Sequence, residues 1–344
     1  MKKRLISSGV TLLIIALALT ICAFTGAQGK ADADGTLSFT AMDTVMSLSV
    51  PDADDKLLQK CAERVYELEK KLSVTDESSE IAMLNANGES AISDDTQDIL
   101  EFAISMCADT DGALDISLYP IVRAWGFTTG EYRVPEQSEI DELLKKVDYR
   151  NISVEDGYAH IGDGCMVDLG SVAKGYAADE LHGILSDAGI STGLIDLGGN
   201  LYCMGTKADG SAWKVGLKNP LGDGYCGALE VTDSAVATSG CYERYFEGED
   251  GTIYGHIFDP STGYPVENTV LSVTVIGKSA AVCDALSTAL FVMGSDNACE
   301  YLKEHSELDA VIICQGEQIY ATIGLKDAFS PIGDYADWTV NWIE

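Results

Sequence analysis

The chain has 344 residues, and its 22 lysines and arginines against 55 aspartates and glutamates give a formal net charge of −33. So acidic a surface repels nucleic acid and anionic lipid, and we expect no nucleic-acid partner. The ten cysteines are scattered, with no Cys-x-x-Cys pair and no His/Cys cluster, so a zinc site is not expected. A negatively charged substrate would therefore need a bound metal or a locally electropositive cavity.

The N-terminus has the pattern of an export signal, because three basic residues at positions 2–4 precede an apolar stretch over 10–24. We predict a signal over 1–27, a short tether over 28–36 and one domain over 37–344. The signal could be of the lipoprotein type with Cys22 as its lipid site, although Ile21 stands where such signals have a small residue. The same pattern is also compatible with simple cleavage near Ala27 and with an uncleaved anchor.

The first half of the domain is predicted to be one strand followed by four helices. The strand is TLSFTAMDTVMSLSV, which alternates between apolar and polar residues. An amphipathic helix, DADDKLLQKCAERVYELEKKLS, comes next because its apolar residues form one stripe. The later helices are predicted within SSEIAMLN, DDTQDILEFAISMCADTDG and EYRVPEQSEIDELLKKV.

The second half mixes strands and helices without regular alternation. The segment MVDLGSVAKGYAADELHGILSDAG predicts a strand, a glycine turn and a helix, and STGLIDLGGNLYCMG predicts two strands joined by a Gly-Gly turn. Strands are predicted within 213–220, 228–240 and 271–277, a helix over 279–293, and then a last helix and a hairpin around 310–324. This order predicts the α+β class. The glycine turn within 167–180 contains neither Gly-x-Gly-x-x-Gly nor Gly-x-x-x-x-Gly-Lys-Ser/Thr, so the fold is predicted to be neither a Rossmann fold nor a P-loop fold.

An acidic residue and a hydroxyl lie on one face of the apolar helix over 279–293. Asp284 and Thr288 are four residues apart, so both side chains project from the same side. Their oxygens are hard ligands of the kind that Mg²⁺ prefers. The alternative is structural: Thr288 bonds its own i−4 carbonyl, and Asp284 stabilises the start of the helix.

Three loops hold the other candidate residues. Asp115 follows a glycine after the third predicted helix, where it binds a ligand or only caps the turn. Lys174 lies between Gly170 and Gly175 at the predicted start of a helix, a place suited to phosphate, although such turns are also common without one. His256 is one of four histidines, and it serves either as a proton acceptor or as a structural residue.

Together the loops resemble the ApbE family, the FAD:protein FMN transferases. The resemblance runs from about Phe39 to Gly324. It is carried in order by AMDTVMSL, SSEIAMLN, DGALDISLYPIVRAWGF, DLGSVAKGYAADEL, IDLGGNLYCMG, WKVGLKNP, ATSGCYERYF, HIFDPSTGYP and SVTVIGKSAAVCDALSTALFVMG. It implies a mixed fold of antiparallel sheets and packed helices, with 37–344 as a single catalytic domain.

The resemblance also implies a site and a reaction. Asp284, Thr288 and the backbone carbonyl of Ser171 would hold Mg²⁺ at the pyrophosphate of FAD, the substrate, and His256 would be the base. A threonine hydroxyl of a second protein would attack the FMN-side phosphorus, and AMP would leave. The family's FAD contacts fall on Met42, Ala113, Leu114, Asp115, Asp168, Lys174 and Ile257.

Family partners are exported or membrane flavoproteins, such as redox-complex subunits, whose acceptor motif resembles Asp/Ser-Gly-Ala-Ser/Thr-x-x-Thr. The resemblance thus places this chain at the outer face of the cytoplasmic membrane, with a possible lipid anchor at Cys22. Two positions depart from the family: Asp43 replaces the glycine of Met-Gly-Thr, and Thr75 lies where an aromatic residue often stacks on the flavin. An Mg²⁺-dependent FAD pyrophosphatase and a non-catalytic exported flavin-binding lipoprotein are the alternative functions.

Overall fold

The computed structural model describes residues 35–249 and 251–344, so the predicted export signal, Cys22 and most of the predicted tether lie outside the described residues. Within the described ranges, no helix is both long and apolar enough to cross a bilayer. The helices are α1 (Asp55–Leu72), α2 (Glu80–Asn87), α3 (Asp94–Asp109), α4 (Tyr119–Ala124), α5 (Gln137–Leu144), α6 (Ala173–Asp187) and α7 (Ala280–Glu304).

Within the residues that the structure describes, the strands form one large sheet and three small ones. The large sheet has nine strands, and all neighbours are antiparallel except its last pair, β15 with β17. Its order is β1 (Thr36–Ala41), β2 (Thr44–Ser49), β6 (Gly193–Leu197), β7 (Asn200–Met204), β10 (Ser234–Gly240), β13 (Val270–Gly277), β14 (Asp309–Cys314), β15 (Gln318–Thr322) and β17 (Thr339–Ile343). The small sheets are β16 (Phe329–Pro331) with β9 (Tyr225–Val231) and β8 (Trp213–Lys218); β3 (Glu89–Ala91) with β5 (Tyr158–Ile161) and β4 (Ile152–Glu155); and β11 (Tyr245–Glu247) with β12 (Ile253–Gly255).

The large sheet is covered on both faces, which explains why its central strands are apolar throughout. In β14, Ala310 and Ile312 join the main core beneath the helices, whereas Val311 and Ile313 join a second core against the sheet of β8, β9 and β16. Successive side chains of a strand point to opposite faces, so one strand contributes to both cores. The helices α6 and α7 pack on each other, and α6 also packs on β6 and β7 while α7 packs on β10 and β13, so both helices lie on the central strands of the large sheet.

A third, smaller core supports the β11–β12 hairpin. Trp125 is fully buried at its centre, and its ring lies 5.1 Å from Tyr254 and 6.3 Å from Phe246, which come from the inner face of the hairpin. The indole N–H donates to the Gly263 carbonyl at 3.0 Å. This cluster, which we call the Trp125 core, shares none of its fully buried residues with the main core.

The α+β class and the absence of Rossmann and P-loop architecture are confirmed, but four local predictions were wrong. The opening strand is the hairpin β1–β2, turned at Met42 and Asp43, which both have positive φ. The segment before α6 makes only an isolated bridge, from Met166 to Leu118. The stretch 228–240 forms parts of two strands in two different sheets. The predicted helix over 279–293 continues to Glu304 across a break at Gly294, so it contains the predicted last helix.

Candidate functional site

A cavity of about 730 Å³ opens among the β1–β2 turn, the loops before α4 and α6, the base of the β11–β12 hairpin and the first turns of α7. Its volume falls within the range of small-molecule sites. A smaller space of about 280 Å³ continues it past Thr75 and Glu69. All eleven site residues predicted from the sequence line the larger cavity: Met42, Ala113, Leu114, Asp115, Asp168, Ser171, Lys174, His256, Ile257, Asp284 and Thr288.

Asp284 belongs to α7, and its side chain contacts the first turn of α6. Its side chain is only 5% exposed, and its Oδ2 accepts a hydrogen bond of 2.9 Å from the Gly175 N–H. One turn further along α7, the Thr288 hydroxyl lies 3.1 Å from the Ser239 hydroxyl on β10. Ser287, rather than Thr288, donates to the Asp284 carbonyl. The structural alternative for this pair therefore lacks its expected hydrogen bond.

Gly175 is the residue that lets the two helices meet. A Cβ on Gly175 would lie 2.3 Å from the Ala280 carbonyl oxygen, so only glycine fits there. Gly175 lies inside α6, whereas the sequence had indicated that it ends the turn before the helix. Because the Gly175 N–H donates to Asp284, it does not take the Ser171 carbonyl four residues earlier as a regular helix would. The Ser171 carbonyl is thereby left available at the cavity wall.

Two carboxylates of the cavity, the buried Asp284 and the half-buried Asp168, interact with the charge of Lys174. Burial raises the pKa of the Asp284 carboxyl, against the charge of Lys174 and the Gly175 N–H, which favour the ionised form. Burial likewise raises the pKa of Asp168, which is opposed by the Gly170 N–H, Lys174 and Arg244. An ionised carboxylate in such a place is costly without a positive partner, so the cavity favours binding of a cation.

The acidic residues outnumber the basic ones around the cavity. Five carboxyl side chains line it, against Lys174, Lys218 and Arg244. A dinucleotide pyrophosphate would be repelled here unless a further cation offset that charge.

Asn200 also lines the cavity. Its buried amide nitrogen lies near enough to Asp284 to favour the ionised form of that carboxyl, yet the nitrogen makes no hydrogen bond of regular geometry.

The donor atoms fit Mg²⁺ better than they fit zinc. The described residues hold no group of three or more His, Cys, Asp or Glu side chains that could bind a metal. What they offer is one buried carboxylate, the hydroxyl of Thr288 and the carbonyl of Ser171, all of which are hard oxygen ligands. Such a set suits a Mg²⁺ ion that completes its coordination with water and phosphate oxygens.

His256 lies at the base of the β11–β12 hairpin, directly after β12. The backbone N–H of His256 donates to the Arg244 carbonyl at 3.1 Å, and the Nδ1 of its ring lies 3.2 Å from the same oxygen. A carbonyl can only accept, so Nδ1 carries the proton and Nε2 keeps its lone pair. Burial, assisted by the charges of Arg244 and Lys174, lowers the pKa of His256 to about 4. The imidazole is therefore neutral at pH 7 and able to accept a proton.

The β1–β2 turn brings Met42 to the cavity in a strained conformation. Met42 and Asp43 have φ values of 48° and 58°, a region that non-glycine residues seldom adopt. The Met42 N–H donates to the Glu69 carboxylate at 2.6 Å, which ties the turn to α1. Asp43 lines the same cavity, so the residue that departs from the family motif faces the site.

Asp115 lines the cavity, but its carboxylate is occupied within the protein. It accepts hydrogen bonds from the Ser117 N–H at 2.8 Å, the Ser117 hydroxyl at 2.6 Å and the Tyr149 N–H at 3.2 Å. The side chain thus holds its own loop in place, as the capping alternative required. Any contact of this residue with a ligand would involve its remaining acceptor capacity or its backbone.

The site predicted from the sequence omitted several cavity residues. Arg244 and Lys218 were not among its members, although a cation is a rare residue in so acidic a chain, and that rarity was an available signal. Asn200 follows the Gly-Gly turn between β6 and β7, a turn that the sequence did indicate. Ser239 and Glu69 had no local signal, because a hydroxyl in a strand and an acid on an amphipathic helix are common.

Comparison with known proteins agrees with this architecture. The ApbE family model matches residues 42–312. A FAD:protein FMN transferase of Treponema pallidum is 34% identical over 278 residues, covering 74% of this chain and 76% of that protein. A FAD:protein FMN transferase of Vibrio cholerae is 33% identical over 292 residues, covering 81% of this chain and 86% of the relative.

Solved structures show the same fold. The crystal structure of an ApbE protein from Thermotoga maritima has a TM-score of 0.79 at 34% identity, covering 85% of this chain and 98% of that one. The flavin transferase ApbE from Vibrio cholerae has a TM-score of 0.77 at 29% identity, with the same coverage. On its sequence and its fold, this chain is a member of the ApbE family.

Proposed function

We propose that this chain is an Mg²⁺-dependent FAD:protein FMN transferase, which moves the FMN part of FAD onto a threonine hydroxyl of an acceptor protein and releases AMP. The observation that carries the proposal is one cavity in which a buried carboxylate and a hydroxyl of α7 face Lys174 and a neutral histidine. The names of the relatives support flavin transfer from FAD. The structures of flavin transferases with the same fold support it further.

Asp284, Thr288 and the Ser171 carbonyl would hold the Mg²⁺. When bound, the ion would offset charge on the phosphate oxygens of FAD and draw electron density from the reacting phosphorus. Lys174 carries a charge that can bind the same phosphates, and it lies at the start of α6, where the helix dipole also favours an anion. Arg244 adds a further positive charge at the cavity wall.

His256 is proposed to accept the proton of the acceptor hydroxyl. Its Nε2 has a free lone pair because Nδ1–H is directed to the Arg244 carbonyl. As the hydroxyl oxygen bonds to the FMN-side phosphorus, its proton passes to Nε2, and the bond from that phosphorus to the bridging oxygen breaks. AMP leaves with the bridging oxygen, and FMN remains joined to the acceptor by a phosphoester. If water took the place of the hydroxyl, the same steps would give FMN and AMP.

We also propose that the protein is exported to the outer face of the cytoplasmic membrane, where its acceptor would be an exported or membrane flavoprotein. The N-terminal pattern supports this location. Mass analysis of the mature native protein tests it. A chain that begins at a diacylated Cys22 would be a lipoprotein, one that begins near residue 28 would be released, and a chain that retains residues 1–21 in the membrane would have an uncleaved anchor.

The transfer itself is tested by incubating the protein with FAD, Mg²⁺ and an acceptor that carries the family-type threonine motif. The masses of the acceptor and of the nucleotide products are then measured. We expect a flavin-labelled acceptor and AMP in equal amounts, and no labelling when the motif threonine is replaced by valine. FMN and AMP with an unlabelled acceptor would replace the proposal with FAD hydrolysis, and bound but intact FAD would replace it with flavin binding alone.

A further inference from the structure

Asp179 joins α6 to the beginning of α7. Its carboxylate accepts three hydrogen bonds there: from the hydroxyl of Ser279, the residue that caps α7, at 2.7 Å, and from the N–H groups of Ala280 at 2.7 Å and Ala281 at 3.0 Å. Both carboxylate oxygens take part. Asp179 is four residues after Gly175, so both contacts to α7 project from the same face of α6.

The first backbone N–H groups of α7 divide between two partners. Ser279 caps its own helix in the usual way, since its hydroxyl accepts from the Val282 N–H at 3.3 Å and its carbonyl from the Cys283 N–H at 3.1 Å. The two N–H groups before these go to Asp179 of the neighbouring helix. The hydroxyl cap alone would define where α7 starts, whereas Asp179 additionally defines where α7 starts relative to α6.

Two contacts on successive turns therefore fix how α7 lies along α6. The first is between the Gly175 N–H and Asp284, and the second is between Asp179 and the start of α7. Two such points prevent both sliding and rotation, which a single contact would not. The residues that they bring together are Lys174 and the Ser171 carbonyl on one side, and Asp284 on the other.

We infer that Asp179 is a positioning residue of the metal and phosphate site: it does not touch the ligand, but it sets the place of Asp284 opposite Ser171 and Lys174. The inference rests on the proposed function, because it takes Asp284 as a ligand of Mg²⁺. Asp179 bonds none of the proposed ligands itself and acts through the backbone at the start of α7, which carries Asp284. Removal of groups that orient metal ligands commonly changes metal affinity by about 10- to 100-fold.

The experiment measures FAD binding at a series of Mg²⁺ concentrations, by quenching of flavin fluorescence, together with the melting temperature. We expect Asp179→Ala to require about 10- to 100-fold more Mg²⁺ for half-maximal FAD binding. Asp179→Asn keeps one acceptor oxygen and should require less Mg²⁺ than the alanine variant. It also serves as the test variant if Asp179→Ala fails to fold.

Asp54→Ala provides the matched control. Asp54 caps α1 by accepting from the Leu57 N–H at 2.8 Å, and it is exposed and absent from the cavity wall. This variant should lower the melting temperature through loss of a cap while leaving the Mg²⁺ midpoint unchanged. If the Asp179 variants behaved in the same way as this control, Asp179 would be only a structural cap and the inference would be overturned.

Asp284→Ala separates this outcome from failure of the proposed function. We expect it to remove the Mg²⁺ dependence of FAD binding altogether. If it does so while the Asp179 variants keep the parental midpoint, only the inference fails. If Asp284→Ala keeps the parental Mg²⁺ dependence, the metal site itself is wrong, and the inference is overturned with it.

Discussion

Replacement of Gly175 by alanine would test how closely the geometry of the site depends on the packing of α6 against α7. The added Cβ would lie 2.3 Å from the Ala280 carbonyl oxygen and 2.7 Å from the Ala281 Cα. Non-bonded heavy atoms reach their best separation at about 3.5 Å, so the helices must part by about 1 Å. Both clashing atoms belong to the backbone, so no side-chain rotation can relieve them.

Two effects on stability oppose each other. Inserting a methyl group into a packed interface costs about 1–3 kcal/mol, whereas alanine in place of a helical glycine gains about 0.5–1 kcal/mol. We expect a net loss of about 1–2 kcal/mol in the free energy of unfolding. The displacement also moves Asp284, which is bonded to the Gly175 N–H. A shift of 1 Å at a reacting centre can cost about 10²-fold in rate, and we expect a loss of that order.

The assay compares the rate of acceptor labelling at saturating FAD with denaturant unfolding of the same protein. Gly183→Ala is the control, because Gly183 lies on the same helix and has no atom within 4 Å of an added Cβ. It should gain about 0.5–1 kcal/mol and label at the parental rate. If Gly175→Ala matched Gly183→Ala in both measurements, the helix contact would not set the geometry of the site.

Three further results are expected. His256→Ala should still bind FAD but label about 10²–10⁴-fold more slowly, whereas His160→Ala, at an exposed position of β5, should label normally; an equal loss in both variants would argue against a proton acceptor at 256. Asp284→Ala should abolish Mg²⁺-dependent turnover in a folded protein, and Thr288→Val should cost less because a hydroxyl is the weaker ligand; parental turnover of the aspartate variant across a Mg²⁺ titration would contradict the assignment. Because burial and nearby cations lower the pKa of His256 to about 4, kcat/KM should stay level below pH 7 and fall only as the pH approaches that value and the imidazole gains a proton. Arg244→Ala removes one of those cations and should move the acid limb to higher pH, whereas a parental midpoint at or above about 6.5 would refute the assigned environment.

The sequence predicts best those elements whose apolar spacing is regular. The stripe on α1 and the Gly-Gly turn between β6 and β7 were recognised because their signals are local. The β1–β2 turn was missed because Met42 and Asp43 adopt positive φ without the glycine that usually marks such a turn. Its conformation is supported by the hydrogen bond from the Met42 N–H to Glu69, which lies 27 residues away and has no local signal.

The members of the site were predicted through family resemblance, but their relations required the structure. Spacing alone could place Asp284 and Thr288 on one helix face, yet it could not show that the Gly175 N–H turns from Ser171 to Asp284. Nor could it distinguish Asp115, whose carboxylate is engaged by Ser117 and Tyr149. Such facts depend on contacts between residues far apart in the chain, which no periodic pattern records.

The separate Trp125 core has a consequence for how the activity could change. His256 is carried by a hairpin that rests on that core, whereas Asp284 and Lys174 rest on helices packed in the main core. On the proposed function, substitutions around Trp125 would shift the proposed proton acceptor, His256, while Asp284 and Lys174 stay in place. If the proposed function holds, FAD binding and group transfer would be altered by separate substitutions, and a lineage of such proteins could lose transfer, or exchange it for hydrolysis, without changing the residues proposed to hold FAD.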